Sequence, residues 1–515
     1  MYPLKLIYIP LDDRPVNTKD VEELANIAQI NLQSAPKGYL GKFMMRGDRV
    51  NLYKWLNTTA GDALIISLDM LLYGGLVASR NADTSYEEAI IFMEKLKDYK
   101  KNTNIKIYAF SNIMRLSISV FGEESGKWWQ QVNKYNELRY KIEYLGENQL
   151  KEELEEIIEA LPQEVLSEYL SARDRNHNIN KMAVDFVKQG IIDFLILSQE
   201  DCSPYGLHLA EHEVLHKIID DNGLNDKVSI FPGADEVGQM LLSKSINDFK
   251  NIYPKVYIFY DDINNKSAIP KFEDRPLEIN VQEHLKAIGA KITNNIRECD
   301  FILAVTTPNI PHIDMGDMFM KGYNKKNIIK DFVKDLNKYI KGGNIVYLVD
   351  TACSNGGDPN LIEALKEEDI LLDIAGYSAW NTAGNTMGTA IAFGSILNVN
   401  LKNKEPLENF TIKSLEFLIK RYTDDYIYQS VVRNKAIKAI EEQGLSILNM
   451  EISCESINNY VFKEMEKLVK SYFENKKFSY TGSQGYIEEV KLSAYLPWDR
   501  VFEVDCDVKL EIREN

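Results

Sequence analysis

Apolar residues recur along the chain in short continuous runs that end in polar or glycine-rich turns. Nine such runs stand out: LKLIYIPLDDRPVN at 4–17, ALIISLD at 63–69, IKIYAFSN at 105–112, DFLILSQED at 193–201, KVSIFPGADE at 227–236, KVYIFYDD at 255–262, DFILAVTTPN at 300–309, NIVYLVDTACSNGGD at 344–358 and LLDIAGYSAWN at 371–381. Continuous Ile/Leu/Val/Phe runs of this length predict strands buried on both faces. Between most of them lie helical patterns, such as TSYEEAIIFMEKLKDYKK at 84–101 and NIIKDFVKDLNKYIK at 327–341. Strand alternating with helix predicts an α/β fold with mostly parallel strands.

Three departures from this alternation divide the chain. Residues 122–190 are long, charged and helical, and read as an insertion covering the carboxyl-end face of a sheet. Residues 261–280, DDINNKSAIPKFEDRPLEIN, form a polar, proline-containing break. From about residue 400 the pattern becomes helices followed by a short strand-like tail. The predicted organisation is an N-terminal, barrel-like α/β domain over 1–255 that carries the 122–190 insertion. A second, Rossmann-like α/β domain follows over 256–400, then a C-terminal helical region with short strands over 401–515. A single modified barrel is the alternative.

Composition narrows the functional classes. The 515 residues are 45% hydrophobic and 27% charged, an ordinary globular balance. A formal net charge of −17 disfavours nucleic acid and anionic membrane as partners, and leaves a small molecule as the expected one. Met1 is followed directly by an apolar run with no basic stretch, and no apolar run reaches the roughly 18–20 residues that span a bilayer. The expectation is a cytoplasmic protein of unassigned oligomeric state. Cys202, Cys299, Cys353, Cys454 and Cys506 are odd in number, widely spaced and free of CxxC pairs, which predicts reduced thiols.

The chemistry concentrates where strands end. Two carboxylates and a guanidinium, Asp12, Asp13 and Arg14, follow the first run, and Pro15 stops it. Asp69, Glu200, Asp201, Asp235, Glu236, Asp261, Asp262 and Asp350 end other runs. Any one of them could be a helix or turn cap. Together they predict a carboxylate-lined cleft at the edge where parallel folds bind ligands. Such groups suit general acid/base work or a hard cation. The segment SQEDCSPYGLHLAEHEVLH at 198–216 adds Tyr205, placed to lie against a ligand, and a helix with His208, His212 and His216 on one face. No HExxH is present, so His212 and His216 read as a solvated stripe, while His208 lies nearest the cleft. Trp380 and Asn381 form an apolar ring and amide pair suited to a sugar, with Asn385 as a further ligand or a helix cap. Cys353 has no partner at catalytic spacing and reads as structural. Asp424 and Asp425 read as caps or solvated groups, and Arg433, Trp498 and Asp499 as C-terminal residues within possible reach of the cleft.

LDDRPVN at 11–17, SPYG at 203–206, PGADE at 232–236, AWNTAGNTMGTA at 379–390 and LPWDRVFEVD at 496–505 resemble stretches of a bacterial family, domain of unknown function 4127, end to end. The resemblance implies that Asp12, Asp13, Arg14, Trp380, Asn381 and Asn385 belong to one site; it implies no reaction. The residues themselves lead to a hydrolase acting on a glycoside or small polar carbohydrate. Glu200 or Asp201 would be the acid/base and Asp12 or Asp13 the partner carboxylate. Arg14, Asp69, Tyr205, His208, Asp235, Glu236, Trp380, Asn381 and Asn385 would bind substrate. No cofactor is required, although a divalent Mg or Zn ion could be held. A metal-dependent hydrolase and a non-catalytic sugar-binding or sensory protein are the alternatives.

Overall fold

All nine apolar runs contain strands in the computed structural model, which describes residues 4–120, 123–315, 326–444, 447, 455–498 and 500–514. Cys454 and Asp499 lie outside the described residues. The chain divides into two compact units. The first comprises residues 1–22, 30–241 and 272–274, and the second residues 23–29, 242–271 and 275–515.

The first unit is built on β1 (Lys5–Ile9), β2 (Asn31–Ser34), β3 (Ala63–Ser67), β4 (Lys106–Ile113), β5 (Phe194–Gln199) and β6 (Val228–Pro232). They pair in the order β2-β1-β3-β4-β5-β6, every pair parallel. The sheet is open, with β2 and β6 at its edges, where a barrel-like lobe would join them. Burial explains why five of the six strands are visible as apolar runs: β3, ALIIS, is buried at every position. At about 1.5–3 kcal/mol for each fully buried large aliphatic side chain, such strands anchor the core. β2, NLQS, is a half-exposed edge strand and carries no such run.

Helix Tyr86–Thr103 packs Phe92, Met93 and Leu96 on this sheet. Helix Gln163–Lys188 supplies Ile179, Ala183, Val184 and Val187 to the same core, so the C-terminal half of the long helical segment is the crossover from β4 to β5. The rest of that segment has its own small core of Met114, Val132, Leu161, Tyr169 and Ala172. It holds the loop beyond β4: Tyr169 Oη and Arg173 Nη1 both donate to Arg115 O at 3.1 Å, and Asn136 Nδ2 donates to Leu116 O at 2.9 Å.

The second unit contains β7 (Lys255–Tyr260), β8 (Lys291–Ile292), β9 (Phe301–Thr306), β10 (Val346–Asp350) and β11 (Gly376–Ser378). Their order is β11-β10-β9-β7-β8, again all parallel. Counted from each unit's first strand, the second sheet follows 2-1-3-4-5 and the first the same order with a sixth strand added, a repeat of topology with no matching repeat of sequence. β12 (Lys476–Tyr480), β13 (Ser483–Tyr495) and β14 (Asp505–Glu514) form a separate antiparallel sheet. Its Ile487 and Val490 join Val461, Met465 and Val469 of helix Glu455–Phe473 in the core that also holds Ile302, Val346 and Leu348 of the parallel sheet. No helix among the described residues is long and apolar enough to cross a membrane. Cys202, Cys299, Cys353 and Cys506 are not joined to one another by disulfides.

Candidate functional site

In an open parallel sheet, the crevice lies outside the carboxyl ends of the strands, where the strand order reverses. In the first unit that point falls between β1 and β3. The loop after β1 carries Asp12, Asp13 and Arg14, and the helix after β3, Leu68–Tyr73, carries Asp69. The β1 loop is held from several sides. Asp13 N donates to Gly41 O at 3.1 Å, residues Pro15–Asn17 make a short 3-10 turn, and Tyr8 Oη donates to Asn17 O at 2.7 Å. Burial raises the Tyr8 phenol well above its usual range, so this group serves as a neutral donor.

Arg14 lies between two carboxylates. Its Nε and Nη2 donate to Asp12 Oδ2 at 2.9 and 2.7 Å. Its Nη1 donates to Asp235 Oδ2 at 3.1 Å, and Nη2 pairs with Asp235 Oδ1. Asn17 Nδ2 adds a hydrogen bond to Asp12 Oδ1 at 2.9 Å. Asp12, Arg14, Asn17 and Asp235 are all buried. One guanidinium does not neutralise two carboxylates. Burial pushes Asp235 up to about 6; the Asp12 charge adds to the rise, and Arg14 opposes it.

Asp69 is the second buried acid. Its Oδ2 accepts from Asn112 N at 2.9 Å and from Asn112 Nδ2 at 3.1 Å, while Oδ1 has no hydrogen-bond partner. Burial pushes Asp69 up to about 7; the Asn112 hydrogen bonds oppose the rise, and the Glu200 charge adds to it. Glu200 is clamped by Arg80, whose Nε lies 3.1 Å from Oε1, and also accepts from Arg115 N at 3.2 Å. Asp201 is partly exposed and pairs with Arg115. Charge couples these groups through space: Arg80 to Glu200 and Arg14, and Glu200 to Asp69, at the carboxyl ends of β1, β3, β5 and β6.

Asp13 and Glu236 are buried at the same edge. Glu236 Oε2 accepts from Ala234 N at 3.0 Å, so it braces its own turn. Gly233 makes that turn possible: its φ is +131°, and a Cβ would stand 2.1 Å from Glu236 Oε1. Gly233→Ala is expected to cost about 2–4 kcal/mol through backbone strain and overpacking. Thermal unfolding checks this, and an unchanged midpoint would refute it.

The other sequence candidates lie elsewhere. Tyr205 is 43% exposed, with Lys141 Nζ 4.6 Å from its ring centroid. His208 belongs to a different group, with Nε2 3.4 Å from Asp274 Oδ2. His212 is buried, contrary to the solvated stripe expected, because Leu215 and Ile219 continue its helix face into the core; only His216 is exposed. Cys202, His208 and Asp274 are the one metal-capable group among the described residues.

Trp380, Asn381 and Asn385 lie in the second unit. Trp380 is buried against Phe502, with ring centroids 6.2 Å apart. Asn381 adopts φ +63°, and its carbonyl accepts from Asn355 N at 2.8 Å. Thr382, not Asn385, caps the next helix, and Asn385 Nδ2 donates to its hydroxyl at 3.1 Å. Asp350, ending β10, accepts from Thr306 Oγ1, Asp358 N and Tyr377 Oη, and burial pushes it up to about 7. Asp424 and Asp425 are neither solvated nor caps. Both are buried in a π-helix, Tyr422–Val432, at 3.1 and 3.3 Å from Arg421. Burial holds Cys353 as a thiol, in line with a structural residue.

Asn112, Arg80 and Arg115 were missed as functional residues. Asn112 closes the 105–112 run and obeys the same strand-end rule as Asp12. Arg80 and Arg115 sit in irregular chain and carry no local signal.

Fold and site together define an open, doubly wound α/β protein with a buried carboxylate–guanidinium cluster at its first switch point. The chain belongs to the family described as protein of unknown function (DUF4127), whose model matches residues 6–507. No curated protein and no solved structure matches it.

Proposed function

We propose that the first unit is a hydrolase acting on a glycoside or other small polar carbohydrate by general acid/base catalysis. The observation that carries this reading is the pair of buried acids at one sheet edge, Asp235 pushed up to about 6 and Asp69 to about 7. Acids tuned near the working pH are what proton transfer requires. At neutral pH Asp69 holds a proton for much of the time and can give it to a leaving oxygen. Asp235 is mostly ionised there and can take a proton from water. Arg14, Asn17 and Asn112 offer the polar contacts that orient hydroxyl groups. Glu200 and Asp201, the acid/base candidates of the sequence reading, are paired with Arg80 and Arg115 and are better suited to position those arginines.

The test is hydrolysis of a panel of aryl glycosides across pH. Turnover is expected to fall below pH about 6 as Asp235 takes a proton, and above about 7 as Asp69 loses one. Asp235→Asn and Asp69→Asn should each lower kcat by about 10²–10⁴ and remove one limb of the profile. Sugar binding with no turnover would replace the hydrolase with a ligand-binding protein.

A further inference from the structure

We propose that Cys202, His208 and Asp274 form a zinc site that fastens the strap Phe272–Asp274 to the start of helix Leu207–Asp221. This goes beyond the proposed hydrolysis and assigns the three residues no part in it.

Local structure brings the ligands together. Cys202 lies just beyond β5, and its N donates to Phe272 O at 2.9 Å, which seats the strap. His208 and His212 are one turn apart on the buried face of the helix. One ligand atom each from Cys202, His208 and Asp274 lies within 4.8 Å of the others. His208 Nε2 and His212 Nδ1 are 3.4 and 3.6 Å from the same Asp274 oxygen. Ligands bound to zinc at about 2.0–2.3 Å stand roughly 3.3–3.6 Å apart along the edges of a tetrahedron. The His208–Asp274 separation is of that length, long for a hydrogen bond of good geometry.

His212 borders the group from outside. Gln199 Nε2 donates to Glu200 O at 2.8 Å and to Ile113 O at 3.3 Å, which turns Gln199 Oε1 toward His212 Nε2, 3.0 Å away. An amide oxygen only accepts, so Nε2 donates to it and fixes the ring, whose Nδ1 faces Asp274 Oδ2. His212 and Gln199 thus stand as outer partners of the Asp274 carboxylate.

Charge and donor type select the ion. One thiolate, one carboxylate, one neutral imidazole and Zn²⁺ sum to zero, which suits a group whose His208 and Asp274 side chains are 0% and 1% exposed. Magnesium prefers oxygen ligands, whereas mixed sulfur and nitrogen donors suit zinc. On binding, the Cys202 thiol releases its proton to solvent as the sulfur–zinc bond forms, and its contact with Phe272 O at 3.4 Å is given up. Three protein ligands leave the fourth tetrahedral position to a water.

The experiment uses the full chain, incubated with zinc, freed of excess metal and analysed by elemental mass spectrometry. One zinc per chain is expected, and His208→Ala and Asp274→Asn should each reduce the bound metal. Exchange for cobalt should produce a near-ultraviolet thiolate-to-cobalt band in the wild-type chain that Cys202→Ser lacks. Substoichiometric zinc in the wild-type chain, or a cobalt spectrum without that band, would overturn the assignment. The wild-type spectrum decides even where a variant fails to fold. Neither readout involves glycoside turnover, so failure of the hydrolase reading is seen separately.

Discussion

Replacing Arg14 with Met is expected to destabilise the first unit by about 3–5 kcal/mol near pH 8, the usual cost of stranding a buried charge. The reason is specific to this site. Arg14 is the cation hydrogen-bonded to both Asp12 and Asp235, and all three side chains are buried. Without it, two carboxylates remain in low dielectric, and they can relieve the cost only by taking up a proton. The penalty should therefore shrink as pH falls from 8 toward 5, the range in which Asp235, already pushed up to about 6 with Arg14 present, becomes protonated. Arg14→Lys should fall between, since one ammonium keeps the charge but cannot bridge both carboxylates through a planar fork. A chain of this size unfolds in more than one step, so the readout is hydrogen exchange of β1 and β3 as well as the thermal midpoint. A pH-independent loss of under about 1 kcal/mol would mean that the cluster is solvated enough to dispense with its cation.

Asp69→Asn should do the opposite to stability while lowering turnover. In the folded chain the Asp69 carboxyl is pushed up to about 7, against 3.8 for the free group. Between these values the folded state holds a proton that the unfolded state has released, so wild-type stability declines as pH rises through that window and levels off above it. With each pKa unit equivalent to about 1.4 kcal/mol, the decline has a ceiling of about 4 kcal/mol. The Asn variant carries no charge and should escape it, while its amide oxygen can still accept from Asn112. The variant should thus match the wild-type chain near pH 4 and exceed it above pH 7. Urea unfolding at several pH values checks this, and a constant difference between the two proteins would contradict it. A gain in stability paired with a loss of rate is the expected signature of a group kept in a costly state for its chemistry.

The legibility of the fold follows burial. β3 and β5 are buried along their whole length, so they are apolar through ALII and FLIL and turn polar only at their carboxyl ends, Ser67, Ser198 and Gln199. β2 and β8, with NLQS and KI, are edge strands whose pairing comes from backbone hydrogen bonds to one neighbour. Backbone pairing leaves no mark on side-chain composition, which is why the run pattern passes over them. The helical segment at 122–190 reads as one insertion because helix periodicity does not say what a helix packs against. Ile179, Ala183 and Val184 reach the main sheet, whereas Val132 and Tyr169 reach a local core.

For the site, the sequence by itself determined the edge. Charged residues directly after buried strands must emerge at the strands' carboxyl ends, so Asp12, Asp69, Glu200 and Asp235 could be assigned to one rim from order alone. Only the tertiary structure decided their partners. Arg14 meets Asp235 across 221 positions of chain and Arg80 meets Glu200 across 120, separations over which no spacing rule operates. The same limit hid the group at His208. One-turn spacing puts His208 and His212 on a common face, but whether that face meets water or Asp274 depends on a strap, Phe272–Asp274, that lies far along the chain. Local periodicity fixes direction along an element; the free energy of a charge depends on what the fold brings opposite it.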